Sequence, residues 1–245
     1  MRTTIPKSRA FIFVFLLSPG LFAQPSGSKY ELGIHAGSFI YQGDLTPSAI
    51  GSFKTPSLAF GIHGSRKLFG NLSVRADLNV GWLKGNDAAW SHPAWRQQRN
   101  FNFKSTVTEI TAMLVWNPLH QDQRLSPYLF GGLGYSFHAI HRDYSGFNAE
   151  YFITEGLNER LDADVAHNLP RTLPIIPFGV GLRYPLTRSL SVNTEAGYRY
   201  VRTDYLDGFS QAGNPRRDDH YYMFTAGITY SLAGNNNLRC PVIRF

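Results

Sequence analysis

The chain has 245 residues, enough for one domain of ordinary size, with a net charge of +7 and a single cysteine. One thiol excludes an internal disulfide and a metal site built from cysteines. Only 17% of residues are charged while 14% are aromatic, so the chain is richer in rings and poorer in charge than a typical soluble domain.

The N-terminus reads as an export signal. Arg2, Lys7 and Arg9 precede an apolar core, Ala10 to Leu17, which Ser18, Pro19 and Gly20 break, and Ala23 offers a small residue before a cut at Gln24. The apolar run is too short to cross a bilayer of about 30 Å as a helix. The leader (1–23) carries three basic and no acidic residues, so removing it lowers the net charge from +7 to +4 (7 − 3). The basic balance is therefore partly a property of the leader, and no nucleic-acid partner is expected.

From residue 30 onward the sequence alternates with period two. Eight segments show it, at about 30–40, 56–68, 71–84, 102–117, 126–139, 174–186, 189–202 and 219–232. In the third, Leu72, Val74, Ala76, Leu78, Val80 and Trp82 share one face, and Ser73, Arg75, Asp77 and Asn79 the other. Helical periodicity is not evident. Short connections near Gly70, at 119–125 and at 187–188 alternate with long ones at 41–55, 85–101, 140–173 and 203–218. An even strand count with alternating short turns and long loops predicts an all-β fold: an eight-stranded antiparallel transmembrane β-barrel over residues 24–232, with periplasmic turns and extracellular loops.

One face of the strands is apolar, with residues such as Leu32, Ile34, Leu58, Phe60, Leu133 and Val180. The other collects Glu31, His35, His63, Arg75, Asp77, Glu109, Arg183, Glu195 and Arg199. Each Arg or Lys facing lipid would cost about 2–4 kcal/mol at mid-membrane. The apolar face is therefore expected to meet outer-membrane lipid, and the charges to fill the lumen. Eight strands leave an interior only wide enough for side chains. Arg75, Asp77, Glu109, Arg183, Glu195 and Arg199 are accordingly expected to form a paired plug. Aromatic belts are expected at both membrane interfaces: Trp82, Tyr200 and Tyr222 at the outer rim, and Trp116, Tyr128, Tyr184 and Tyr230 at the periplasmic rim.

No catalytic constellation stands out, and neither an enzyme nor a cofactor is expected. The spacing of His138 and His141 suits a metal only on a helix, and here it falls where a strand becomes a loop. Asp204 and Asp207, with Asp218 and Asp219 across the same loop, suit either a divalent cation held by oxygen ligands or a polar turn whose carboxylates take backbone donors. After the last strand, the segment 233–245 reads as a periplasmic tail. Arg239, Cys240 and Phe245 there make either a partner contact or a frayed end.

Six stretches carry a family resemblance: "YELGIHAGSFIYQGDL" (30–45), "RNFNFKSTVTEI" (99–110), "SPYLFGGLGYSF" (126–137), "TEG" (154–156), "IPFGVGLRY" (176–184) and "EAGYRYVRTDYLDGFS" (195–210). Together they resemble the PorG-like outer-membrane barrels of the type IX secretion system of Bacteroidota. The resemblance implies a non-enzymatic barrel that works with the periplasmic ring proteins of that machine. The chain departs from the family pattern at Gly208, where a second Asp often follows "TDYLD". That departure weakens the cation reading and favours Asp204 and Asp207 as shapers of an extracellular loop. A structural or adhesive barrel, or an embedded enzyme acting on lipid or peptide, are the alternatives.

Overall fold

The computed structural model describes residues 30–48, 51–119, 125–215 and 218–232. The leader (1–23) and the tail (233–245), with Arg239, Cys240 and Phe245, lie outside the described residues.

Among the described residues, eight strands close into one antiparallel barrel in sequence order: β1 (Tyr30–Gln42), β2 (Ser57–Phe69), β3 (Leu72–Asn86), β4 (Asn102–Trp116), β5 (Ser126–Asp143), β6 (Thr172–Pro185), β7 (Leu190–Val201) and β8 (His220–Leu232). The seam joins β1 to β8, from Tyr30 opposite Leu232 to Gln42 opposite His220. The barrel's first and last residues thus lie at the end that carries the short turns. At one of these turns Gly70 takes a φ of 51°, a left-handed conformation that glycine reaches without a steric penalty.

The alternation expected from sequence sets the two faces. Ile34 and Leu58 are each 63% exposed and Leu133 68%. Exposed apolar side chains recur on seven of the strands, and β7 adds half-exposed Leu190, Val192 and Ala196 with Tyr200, so the belt is greasy outside. Such a surface is far larger than the apolar patches a water-soluble monomer shows, and lipid is the solvent it fits. Trp116, Tyr184 and Tyr230 are exposed at the short-turn end and Tyr200 at the loop end, while Trp82 and Tyr222 are half-buried on the outer face near the loops.

Two elements depart from the all-strand reading. The long connections hold two helices, α1 (Trp95–Arg99) and α2 (Leu157–Ala166). In α2 the buried residues Leu157, Leu161 and Asp164 fall at helical spacing on one face. That period is only one short segment long, and Asp164 breaks its apolar pattern. Strand β5 also runs four residues further than expected, to Asp143, so His138 and His141 lie within it, buried and exposed respectively.

Candidate functional site

The lumen is packed in layers. Midway, Glu109 is fully buried and accepts hydrogen bonds from Tyr221 Oη (2.7 Å) and Asn79 Nδ2 (3.0 Å). Arg199 approaches the same carboxylate, with Nε 3.4 Å from Oε1 and Nη2 3.4 Å from Oε2, and Nη2 also lies 2.9 Å from Met223 Sδ. Nearby, the Arg75 guanidinium donates to both oxygens of Glu195 (2.5 and 3.1 Å), and its Nε lies 3.0 Å from Asp77 Oδ1. Nearer the short turns, Arg183 pairs with Glu31 through two bonds of 3.1 and 2.6 Å, and Ser65 and Ser231 donate to the same carboxylate.

The six charged residues singled out from sequence therefore sit in three ion-paired groups. Glu31 completes one of them. His35, which bonds Asn79 at 2.7 Å and stacks on His63, fills the space between. These three were legible as inward residues by parity, but their partners were not. A cavity of about 40 Å³ beside Glu31, His63, Arg75, Tyr128 and Arg183 is the space left at this end. At this volume it has room for about three water molecules, far short of a channel.

Tyr128 is a correction. It does not belong to the aromatic girdle: it is 4% exposed, and its hydroxyl donates to Glu195 Oε1 at 2.6 Å inside the barrel. The reason is parity. Leu129 and Leu133 point to lipid, so Tyr128 on the alternate face must point in. Gly181, directly opposite, leaves room for the ring, because a Cβ there would come within 2.2 Å of Tyr128 Cζ.

The loop end is capped by side chains from all four long connections. Leu45, Phe101, Phe152, Leu157, Leu161, Leu206 and Phe209 pack with Phe39, Tyr41, Phe103 and Tyr221 of the strands below. Phe101 and Phe209 stack at 4.3 Å. Polar bonds tie the loops together. The Asp87 carboxylate takes Arg96 (2.7 Å) and Arg99 (2.6 and 2.9 Å), and both arginines also reach the Asp44 carbonyl. The Asp164 carboxylate accepts the backbone N–H groups of Ser210, Gln211 and Ala212 at 2.8–3.1 Å. Arg142 donates to the carbonyls of Asp164 (2.5 Å) and Gly208 (3.0 Å).

The acidic loop lies inside this cap. Asp207 and Asp219 are fully buried, and Tyr41 Oη bonds both, at 2.6 and 2.9 Å. Asp207 Oδ1 also accepts Phe209 N at 2.8 Å, the turn-closing bond anticipated for this segment. Burial, with the charge of Asp44 beside it, pushes the Asp207 carboxyl well up. Burial and the charges of Asp207 and Asp44 do the same to Asp219. Asp204, whose two buried carboxylate oxygens find no hydrogen-bond partner among the described residues, is pushed up to about 7, chiefly by burial, then by the charges of Asp44, Asp218 and Asp164, with the nearby Ser210 hydroxyl lowering it in part. A carboxyl whose pKa is raised on folding contributes fully below its unfolded value near 4, and that contribution is lost as pH climbs through the folded value. The cap is therefore expected to loosen as pH rises from about 4 to about 7, the interval between the unfolded and folded values of Asp204, and to stay loosened above it. Hydrogen exchange, corrected for intrinsic rates, should show lower protection of the Leu206 to Ala212 amides at pH 8 than at pH 5.5. Protection that rises with pH would contradict this.

Among the described residues, no group of three or more His, Cys, Asp or Glu side chains is arranged to hold a metal ion.

A closed eight-stranded barrel with a greasy exterior, aromatic rings near both rims and an ion-paired lumen defines an outer-membrane β-barrel in contact with lipid. Within that class, the chain belongs to the family described as "Domain of unknown function (DUF6089)", whose model matches residues 8–241. No curated protein matches it in sequence. Solved structures similar to it include Neisserial surface protein A, at 13% identity and a TM-score of 0.49 over 85% of this chain and 100% of that one. The attachment invasion locus protein Ail of Yersinia pestis has 10% identity and a TM-score of 0.45, over 82% and 97%. The outer membrane enzyme PagL has 10% identity and a TM-score of 0.39, over 82% and 99%.

Proposed function

We propose that this barrel is a non-enzymatic component of the type IX protein secretion machinery, seated in the outer membrane and working with the periplasmic ring from its short-turn side. The observation that carries the reading is the double seal: the Glu109–Arg199–Tyr221 layer blocks the lumen, and the four-loop cap closes the mouth. A barrel that passes nothing and opens no cleft to its interior acts through its rims. The six sequence stretches that resemble the PorG-like barrels supply the choice of machine. The tail residues Arg239, Cys240 and Phe245 are the proposed contact with the ring, since the last strand before them ends at Leu232 on the short-turn side, where the ring would lie.

Deleting the gene in its host tests this directly. Cargo of the secretion system should accumulate in the periplasm, and a cross-linker on Cys240 should capture a periplasmic protein. Normal secretion without the barrel would end the proposal. An adhesive role is the second reading, favoured by exposed Tyr151 (51%) and Ile153 (66%) on the longest connection. It requires that Y151S/I153S weaken binding to a surface while secretion continues.

A further inference from the structure

Lys84, Lys104 and His141 stand side by side on the outer wall near the loops. Lys84 lies opposite Lys104 in the β3–β4 ladder, and Lys104 opposite His141 in the β4–β5 ladder. All three are exposed, on the same parity as the lipid-facing Val80, Ile110 and Phe137 of their strands. Like charges directly opposite on antiparallel strands repel, and Lys104 has a basic residue on each side. Among the described residues neither lysine ammonium has a hydrogen-bond or ion-pair partner. The nearest acid on this face, Asp143, lies one outward position further along β5, and its carboxylate accepts the Ser145 N–H at 3.0 Å. A lone lysine at a membrane rim needs only water for its head. Three basic side chains in one unbroken row call for an anion.

Height says which anion. Counting back along β4, Lys104 is twelve residues from Trp116 of the periplasmic rim (116 − 104). Twelve residues span about 40 Å along a strand, or about 30 Å along the membrane normal at a tilt of about 40°. The apolar band of such barrels is about 25 Å tall. The row therefore lies just beyond the hydrocarbon, at the headgroups of the outer leaflet, with Trp82 on the lipid side of it.

We infer that Lys84, Lys104 and His141 bind the phosphate groups of an outer-leaflet lipid. The two ammonium groups supply point charges to the phosphate. His141 Nδ1 lies 3.3 Å from the Ala139 carbonyl and donates there, so Nε2 meets the ligand by accepting from a phosphate hydroxyl or, when the ring is doubly protonated, by donating to a phosphate oxygen. This inference stands independently of any role in secretion.

The test uses the full-length folded barrel in neutral detergent, with bisphosphorylated lipid A as the probe and co-elution on gel filtration as the readout. The variant K84Q/K104Q should retain about twentyfold less lipid, since each lysine near an anionic lipid surface contributes about fivefold. The charge-matched R66Q/R188Q, altered at the opposite rim, should retain as much as the unaltered protein. Lipid A stripped of both phosphates should not be retained. Equal retention by K84Q/K104Q, or equal retention of the stripped lipid, overturns the inference. So does displacement by inorganic phosphate at matched concentration, which would mark a site for soluble anions. Heat-modifiable mobility verifies folding, and K104Q alone replaces the double variant if that fails to fold.

Discussion

Replacing Glu109 by alanine should destabilise the barrel by about 3–5 kcal/mol, the usual cost of breaking a buried ion pair from one side. Glu109 is the one carboxylate within ion-pair distance of Arg199 among the described residues, and it also satisfies Tyr221 and Asn79. Its loss leaves a guanidinium, a phenol and an amide in a space too small to hydrate them all. Glu195→Ala should cost less, because Arg75 keeps Asp77 at 3.0 Å. Removing both partners together, as E109L/R199M, should restore much of the loss, since neither charge is then stranded. Urea unfolding midpoints of the barrel in lipid vesicles measure all three. An E109A barrel as stable as the unaltered one would show that the mid-lumen layer does not hold the fold.

Asp164→Ala should open the cap while leaving the barrel intact. One carboxylate on α2 holds three consecutive backbone N–H groups of the β7–β8 connection, and Asp164 itself is fully buried. Unpaired buried donors cost about 1–3 kcal/mol each, and part of that is recovered as the loop opens to water. A local opening penalty reduced by about 3 kcal/mol corresponds to roughly hundredfold faster exchange at Ser210, Gln211 and Ala212. Heat-modifiable mobility should not change, because none of the eight strands contributes a residue to this contact. Unchanged exchange at those amides would place the restraint on Arg142 or the aromatic stack instead.

The barrel was legible because period two is a strong signal when one face meets lipid. β3 alternates without a break from Leu72 to Trp82, and strands read in this way end within a few residues of their observed limits. Inward residues were legible for the same reason, and parity alone would have turned Tyr128 inward. Pairing inside the lumen was not legible. Glu31 and Arg183 are 152 positions apart, and only closure of the sheet brings them together. The cap was least legible. Its Phe101, Phe152 and Phe209 lie in connections without periodicity, and Asp164 and Asp87 look like ordinary surface acids until their buried donors are in place.

The bonds of Tyr41 have a consequence for how the molecule is assembled. Tyr41 lies near the end of the first strand, while Asp219 immediately precedes the last strand and Asp207 lies twelve positions earlier (219 − 207). These partners come within reach only once β8 has zipped onto β1 as far as Tyr41 opposite Tyr221. In a chain inserting strand by strand, this one link across the mouth therefore waits for the β1–β8 seam. The tyrosine acts as a latch: its hydrogen bonds at 2.6 and 2.9 Å form only when the circle is complete.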